Sequence, residues 1–273
     1  TETGCCSLDS INDARNIAVD LGFHHNILDI REEFGDYVID YFTDEYMIGR
    51  TPNPCVLCNT HIKWEALLKR ADKLGCDFIA TGHYANINEK SGRYFISKGK
   101  DLNKDQSYAL WGISQKNLSR TIFPLGSLEK DEIKKIALDR GYDNLVKKSE
   151  SYEICFVPDN DYRSFLKKRV SNIDKVIKKG DFITEDGQTV GTHQGYPFYT
   201  IGQRKGLGLA LGYPIYVTNI DVEKNTVTVG TFDELKRNGM YVDKLNFMKY
   251  DNIDGRLNAY TKIRYNDSGN PSV

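Results

Sequence analysis

Apolar residues return at three- and four-residue intervals in the first part of the chain, with short apolar runs between them. Residues 7 to 22 place Ile11, Ala14, Ile17, Ala18 and Leu21 on one face, and Gly22 follows where a left-handed cap belongs. The run HHNILDI is expected as a short strand, and residues 31 to 48 carry Phe34, Tyr37, Val38, Tyr41 and Phe42 at helical spacing. HIKWEALLKRADKLG predicts another amphipathic helix ending at Gly75, and DFIATGHYANI a strand with Gly82 near its polar end. Helices alternating with short apolar strands predict an α/β fold built on a parallel sheet covered on both faces. In such sheets ligands bind beyond the carboxyl ends of the strands, where TGHY would lie.

Near residue 120 the pattern changes. SLEKDEIKKIALDRGY opens with a Ser-x-x-Glu or Glu-x-x-Glu cap and is strongly helical, and DYRSFLKKRV is a second helix with basic residues in its last turn. From about residue 180 the strands shorten and alternate. DFITEDGQTVG predicts a hairpin around Asp186-Gly187, and IYVTNIDVEKNTVTVG another around Glu223–Asn225. MYVDKLNFM and LNAYTKIRY continue the strand pattern, so the tail is expected as a small β-barrel or sandwich that stops mid-structure at Val273.

Composition narrows the function classes. The 273 residues are 40% hydrophobic and 27% charged, which suits a folded core in two domains. A formal charge of −1 argues against a uniformly basic nucleic-acid binder, although Lys147-Lys148, Lys167-Lys168-Arg169, Lys178-Lys179 and Arg204-Lys205 are candidate local patches. No apolar run approaches the roughly 20 residues of a membrane span. Six cysteines at this density suggest a reducing, cytoplasmic setting with thiols kept for chemistry.

The stiffened loop TPNPCVLCN sets Cys55 and Cys58 three positions apart. Structural metal, a redox pair and nucleophilic sulfur are all open readings. The pair is half of a four-cysteine zinc site and has no second half; the third reading needs a partner thiol, for which Cys155 in SESYEICF is the candidate. Cys5, Cys6 and Cys76 read as small buried hydrophobes, and His24, His25, His61 and His193 as ordinary surface or core residues. His83 differs, because it sits at an expected strand end beside Gly82. KDQSY reads as a helix start, and HQGYPFYTIGQRKGLGLALG as a flexible basic and aromatic loop against which splayed nucleotides could stack. Neither a dinucleotide nor a Walker glycine pattern is present.

GRTPNPCVLCNTHIKW, DFIATGHYA, KDQSY, SESYEICF, GTHQGYPFYTIGQRKGLG and TKIRY stand in the order found in bacterial tRNA-specific 2-thiouridylases, and the chain resembles that family from about residue 5 onward. The resemblance implies an ATP-pyrophosphatase-like α/β catalytic domain over residues 1–121 with 145–161. It also implies a central domain over 122–144 and 162–214, and a C-terminal β-barrel over 215–273. The implied reaction replaces the C2 oxygen of the wobble uridine in the tRNAs for Lys, Glu and Gln with sulfur, using ATP with Mg. Sulfur would come from a sulfur-relay donor protein or a cysteine desulfurase.

By the same resemblance Cys58 is the nucleophile and Cys155 bears the persulfide. Asn53, Pro54 and Cys55 flank the target base, Gly82 contacts ATP, and Lys104, Asp105, Gln106, Arg264 and Tyr265 contact tRNA. Two departures qualify this. The family's Ser-Gly-Gly-x-Asp-Ser phosphate loop is not in the sequence and would precede Thr1, so the chain looks truncated; without that loop a non-catalytic tRNA-binding role is the alternative. Cys55 stands where some relatives have an acid, which leaves open a [4Fe–4S] cluster held by Cys55, Cys58 and Cys155.

Overall fold

The computed structural model describes residues 8–148, 154–157, 161–265 and 267–273. Cys5, Cys6 and the polar run 149–153 ahead of Cys155 lie outside them. Two compact units emerge. One draws on Thr1–Asp29, Val38–Pro54 and Ser151–Tyr241, and the other on Ile30–Tyr37, Cys55–Glu150 and Val242–Val273.

The second of these units is built around one long helix, which begins at Pro54–Leu57, passes through a π-helical stretch at Cys58–Ala66 and ends as Leu67–Lys73. Pro54 suits the first helical position, whose N–H has no partner in any helix. The stop is set by Gly75 at φ +70°: the Cys76 N–H donates to Ala71 O at 2.9 Å and the Gly75 N–H to Asp72 O at 3.2 Å. Trp64, Leu68 and Ala71 of the helix enter the core, and Ile62 and Ala66 are buried as well. There Trp64, Leu110, Ile113 and Leu118 are almost wholly buried.

Strand β1 (Ile79–Ala80) pairs in parallel with β4 (Thr121–Ile122), and β2 (Ala85–Lys90) forms an antiparallel hairpin with β3 (Arg93–Lys98). The expected strand DFIATGHYANI is therefore two strands, broken at Thr81–Tyr84. The helix Lys130–Asp139 opens with the expected Glu-x-x-Glu cap, Glu132 Oε2 accepting the Glu129 N–H at 2.7 Å.

In the other unit β5 (Gly180–Ile183), β6 (Thr189–His193), β7 (Tyr216–Asp221) and β8 (Thr226–Gly230) form one sheet in the order β6-β5-β8-β7. Both expected hairpins are present, and a parallel β5–β8 pairing joins them across residue 214. Phe182, Val217, Val227 and Val229 of this sheet pack in one core with Phe42 and with Leu166 of the helix Tyr162–Arg169.

Three expectations need correction. HHNILDI forms no strand, since a strand exists only by pairing and no ladder partner reaches it among the described residues; Ile27 and Leu28 stay exposed. MYVDKLNFM is not a strand either, because side chains take its carbonyls: Arg93 donates to Phe247 O and Met248 O, and Gln115 Nε2 to Met248 O at 3.0 Å. Cys76 is exposed rather than a small core residue, being the position just after the Gly75 helix stop. In the tail, the only strands after residue 230 among the described residues are β9 (Ala259–Thr261) and β10 (Asn270–Ser272), which form one hairpin. No described helix is long and apolar enough to cross a membrane.

The buried bond from Trp64 Nε1 to Thr121 Oγ1, 2.7 Å, ties the long helix to β4. Trp64→Phe leaves that hydroxyl without its donor and a void beside it. Guanidinium denaturation followed by circular dichroism should show a loss of about 1–3 kcal/mol.

Candidate functional site

Four of the singled-out segments fall in one unit: Cys55–Cys58, Thr81–Tyr84, Lys104–Tyr108 and Thr261–Tyr265. They are linked by specific bonds. From the helix that carries Cys58, Asn59 Nδ2 donates to Ala109 O at 2.9 Å, just past the KDQSY turn. One turn on, Lys63 Nζ lies 3.4 Å from His83 Nε2. Gln106 Oε1 accepts the Tyr84 N–H at 3.0 Å, and Tyr108 Oη donates to Ile263 O at 2.8 Å. Lys262 Nζ sits over the rings of both Tyr108 and Tyr265, 5.7 and 5.4 Å from their centroids.

His83 is buried against Trp64 and Phe123, with ring centroids 5.5 and 5.9 Å away. Burial, and then the Lys63 cation, lower its pKa to about 4, so the ring is neutral near pH 7. The tautomer follows from the partners. An ammonium can only donate, so Nε2 accepts from Lys63, and Nδ1 carries the proton that it donates to Thr81 Oγ1 at 2.8 Å.

Cys58 is half-buried and Cys55 exposed. Although the residue as a whole reaches solvent, the Cys55 sulfur is crowded by protein atoms that push its thiol pKa up, against an opposing pull from Lys63. Asn59, next to Cys58, is buried, and its Oδ1 has no protein donor among the described residues. Gly82 is exposed, and a Cβ there would meet only Leu125 at 3.6 Å. Internal packing therefore leaves room for a side chain at that position.

Asn53 is half-buried and Pro54 buried at the helix start. Asp105 is buried and Gln106 half-buried, while Lys104 lines a polar cleft of about 450 Å³ with Lys100, Asp101, Lys130 and Lys134. Arg264 and Tyr265 are exposed.

Cys155 belongs to the other unit. Its neighbours Ile154 and Phe156 pack against that unit's core, Phe156 edge-on to Phe42 and Phe165 at 5.1 and 5.5 Å, and the cysteine between them is exposed. Among the described residues no three His, Cys, Asp or Glu side chains form a group able to hold a metal ion.

The background histidines are plain. His193 accepts the Gly195 N–H at Nδ1 (3.0 Å), leaving Nε2 to donate to Asn225 O, and His61 pairs with Glu65 and stacks on Tyr37. Sequence reasoning missed Asn59, Lys63 and Thr81. Their partners are 50, 20 and two residues away, and only the Thr81–His83 pair has both members inside one marked motif.

The Cys55–Cys58 pair thus lies at the start of a helix that reaches the Thr81–Tyr84 strand end through Lys63, in a unit of mixed α/β structure, and the sheet-based unit bears another exposed cysteine. Residues 1–159 match the family described as tRNA methyl transferase HUP domain, and residues 163–231 that described as tRNA methyl transferase PRC-barrel domain. Over all 273 residues the chain is 70% identical to the protein of Amoebophilus asiaticus named tRNA-specific 2-thiouridylase MnmA, covering 73% of it. It is 65% identical to the protein of that name from Cytophaga hutchinsonii, again over 273 residues and 74% of the relative. With the one from Salinibacter ruber the figures are 58% over 270 residues, 98% of this chain and 70% of the relative. The chain belongs to the tRNA-specific 2-thiouridylase family.

The His83 shift has a pH consequence. The folded value of about 4 lies below the ordinary 6.5, so the stability is fully present above pH 6.5 and is lost as pH falls toward 4. The loss should reach about 3 kcal/mol. It is measured by urea denaturation across that range, and His83→Gln should flatten the dependence.

Proposed function

We propose that this protein is a tRNA-uridine 2-sulfurtransferase that thiolates C2 of the wobble uridine in the tRNAs for Lys, Glu and Gln, using ATP with Mg. The observation that carries the reading is the seating of Cys58 on a helix bonded both to the Gly82–His83 strand end and to the KDQSY turn. The names of the relatives supply the substrate, tRNA, and the reaction. The two domain descriptions speak of methyl transfer instead; a pair of cysteine motifs is what sulfur chemistry needs and methyl transfer does not.

The C2 oxygen is a poor leaving group, and ATP supplies the adenylation that lets it depart as part of AMP. The exposed face of Gly82 suits close approach of the nucleotide. The terminal sulfur of a persulfide on Cys155 attacks C2. The Cys58 thiolate then attacks Cys155 Sγ, breaking the sulfur–sulfur bond, releasing the thiolated base and leaving a Cys58–Cys155 disulfide. A thiol reductant returns both cysteines. In the variant order Cys58 attacks first and frees hydrosulfide, which then attacks C2. The Cys55 thiol is pushed toward its protonated form, which lowers the share present as the nucleophilic thiolate.

Asn53, Pro54 and Cys55 stand beside the target base, and Lys104, Arg264 and Tyr265 meet the RNA. The sulfur arrives from a relay protein or a cysteine desulfurase. No membrane is involved.

Incubated with ATP, a sulfur source and unmodified tRNA, the protein should yield 2-thiouridine at the wobble position by nucleoside mass spectrometry. Cys58→Ser and Cys155→Ser should each abolish the product while tRNA binding persists. Absence of product with the unaltered protein would overturn the reading. Active protein purified anaerobically should contain neither iron nor acid-labile sulfide; stoichiometric iron would replace the persulfide route with the cluster route.

A further inference from the structure

The three residues Lys104, Asp105 and Gln106 share one motif but not one environment. Asp105 is 7% exposed. Its Oδ1 accepts the Gly99 N–H at 3.0 Å and the Ser107 N–H at 3.3 Å, and its Oδ2 accepts the Ser107 hydroxyl at 2.8 Å. A buried carboxylate is tolerable only when it is satisfied in this way, and such bonds leave it turned into the protein.

Gln106 is equally committed. Its side-chain Oε1 accepts the Tyr84 N–H at 3.0 Å, and its own N–H donates to Tyr84 O at 2.9 Å, so one residue satisfies both main-chain groups of Tyr84. Gly99 completes the contact, since a Cβ there would stand 2.9 Å from Tyr84 O. Strand end and loop meet with nothing between them.

We propose that Asp105 and Gln106 are positioning residues that lock the strand end carrying Gly82 and His83, and that of this motif only Lys104 meets the RNA. Asp105 folds the loop about itself; Gln106 transmits that shape to Tyr84, and the preceding His83 is thereby held against Lys63 and Trp64. The proposal deepens the thiouridylase reading and rests on it.

Asparagine at position 105 can keep every bond, its oxygen facing the two N–H groups and its NH₂ donating to the Ser107 hydroxyl, while removing the charge. Alanine removes the bonds. Two readouts on the whole protein separate the possibilities: tRNA affinity, and the His83 imidazole resonances by NMR without tRNA.

Asp105→Ala should weaken tRNA binding about tenfold or more and shift the His83 resonances, with Asp105→Asn recovering most of both. Gln106→Ala, which removes a single acceptor, should move the His83 signals the same way and serves if Asp105→Ala does not fold. The proposal is overturned if Asp105→Asn binds tRNA as poorly as Asp105→Ala with the His83 signals in place, for then the carboxylate itself acts on RNA. It is equally overturned if Gln106→Ala and Asp105→Ala both leave affinity and resonances as in the unaltered protein. Failure of the unaltered protein to bind or thiolate tRNA would strike the thiouridylase reading instead, since the NMR readout needs no RNA.

Discussion

Three side chains within two turns of one helix, Asn59, Lys63 and Trp64, reach three separate segments: Ala109 O, His83 Nε2 and Thr121 Oγ1. Two of these side chains are nearly inaccessible to water, and a polar atom withdrawn from water must find its partner inside or cost about 1–3 kcal/mol. Rotation or sliding of the helix would break all three bonds together. Only one seating is therefore allowed, and it fixes where Cys58 stands relative to Gly82 and the KDQSY turn.

The same economy explains why His83 differs from the other histidines. His193 is buried too, yet both its nitrogens meet main-chain groups of its own sheet region, and it is a part of the core. His83 faces a cation on one nitrogen and a hydroxyl on the other, in an aromatic box beside an exposed glycine. A neutral ring with a fixed tautomer hands a defined hydrogen-bonding pattern to the strand end. The thiol of Cys55, raised by crowding and drawn down by the same Lys63, shows that this ammonium is shared between the helix start and the strand end.

Cys155 illustrates a different device. Alternation along Ile154, Cys155 and Phe156 sends the flanking residues into the core and leaves the sulfur outside. Aromatic edges at 5.1 and 5.5 Å grip Phe156, so an exposed thiol is carried on an anchored backbone. Solvent access and a firm mount therefore coexist at one sulfur.

Local chemistry was legible in the amino-acid order. The Gly75 stop, the Glu129–Glu132 cap, the Asp186-Gly187 turn and the Cys-x-x-Cys spacing depend on residues within a few positions of one another, as hydrogen bonds at chain bends do. What tertiary structure alone decided is pairing at a distance. HHNILDI has strand composition and no ladder, MYVDKLNFM gives its carbonyls to Arg93 and Gln115, and the two hairpins merge through β5 and β8. Asp105 looks like a surface charge in its motif and is in fact buried. No local rule shows that Gly99 and Ser107 will close around it, because that depends on how the chain returns.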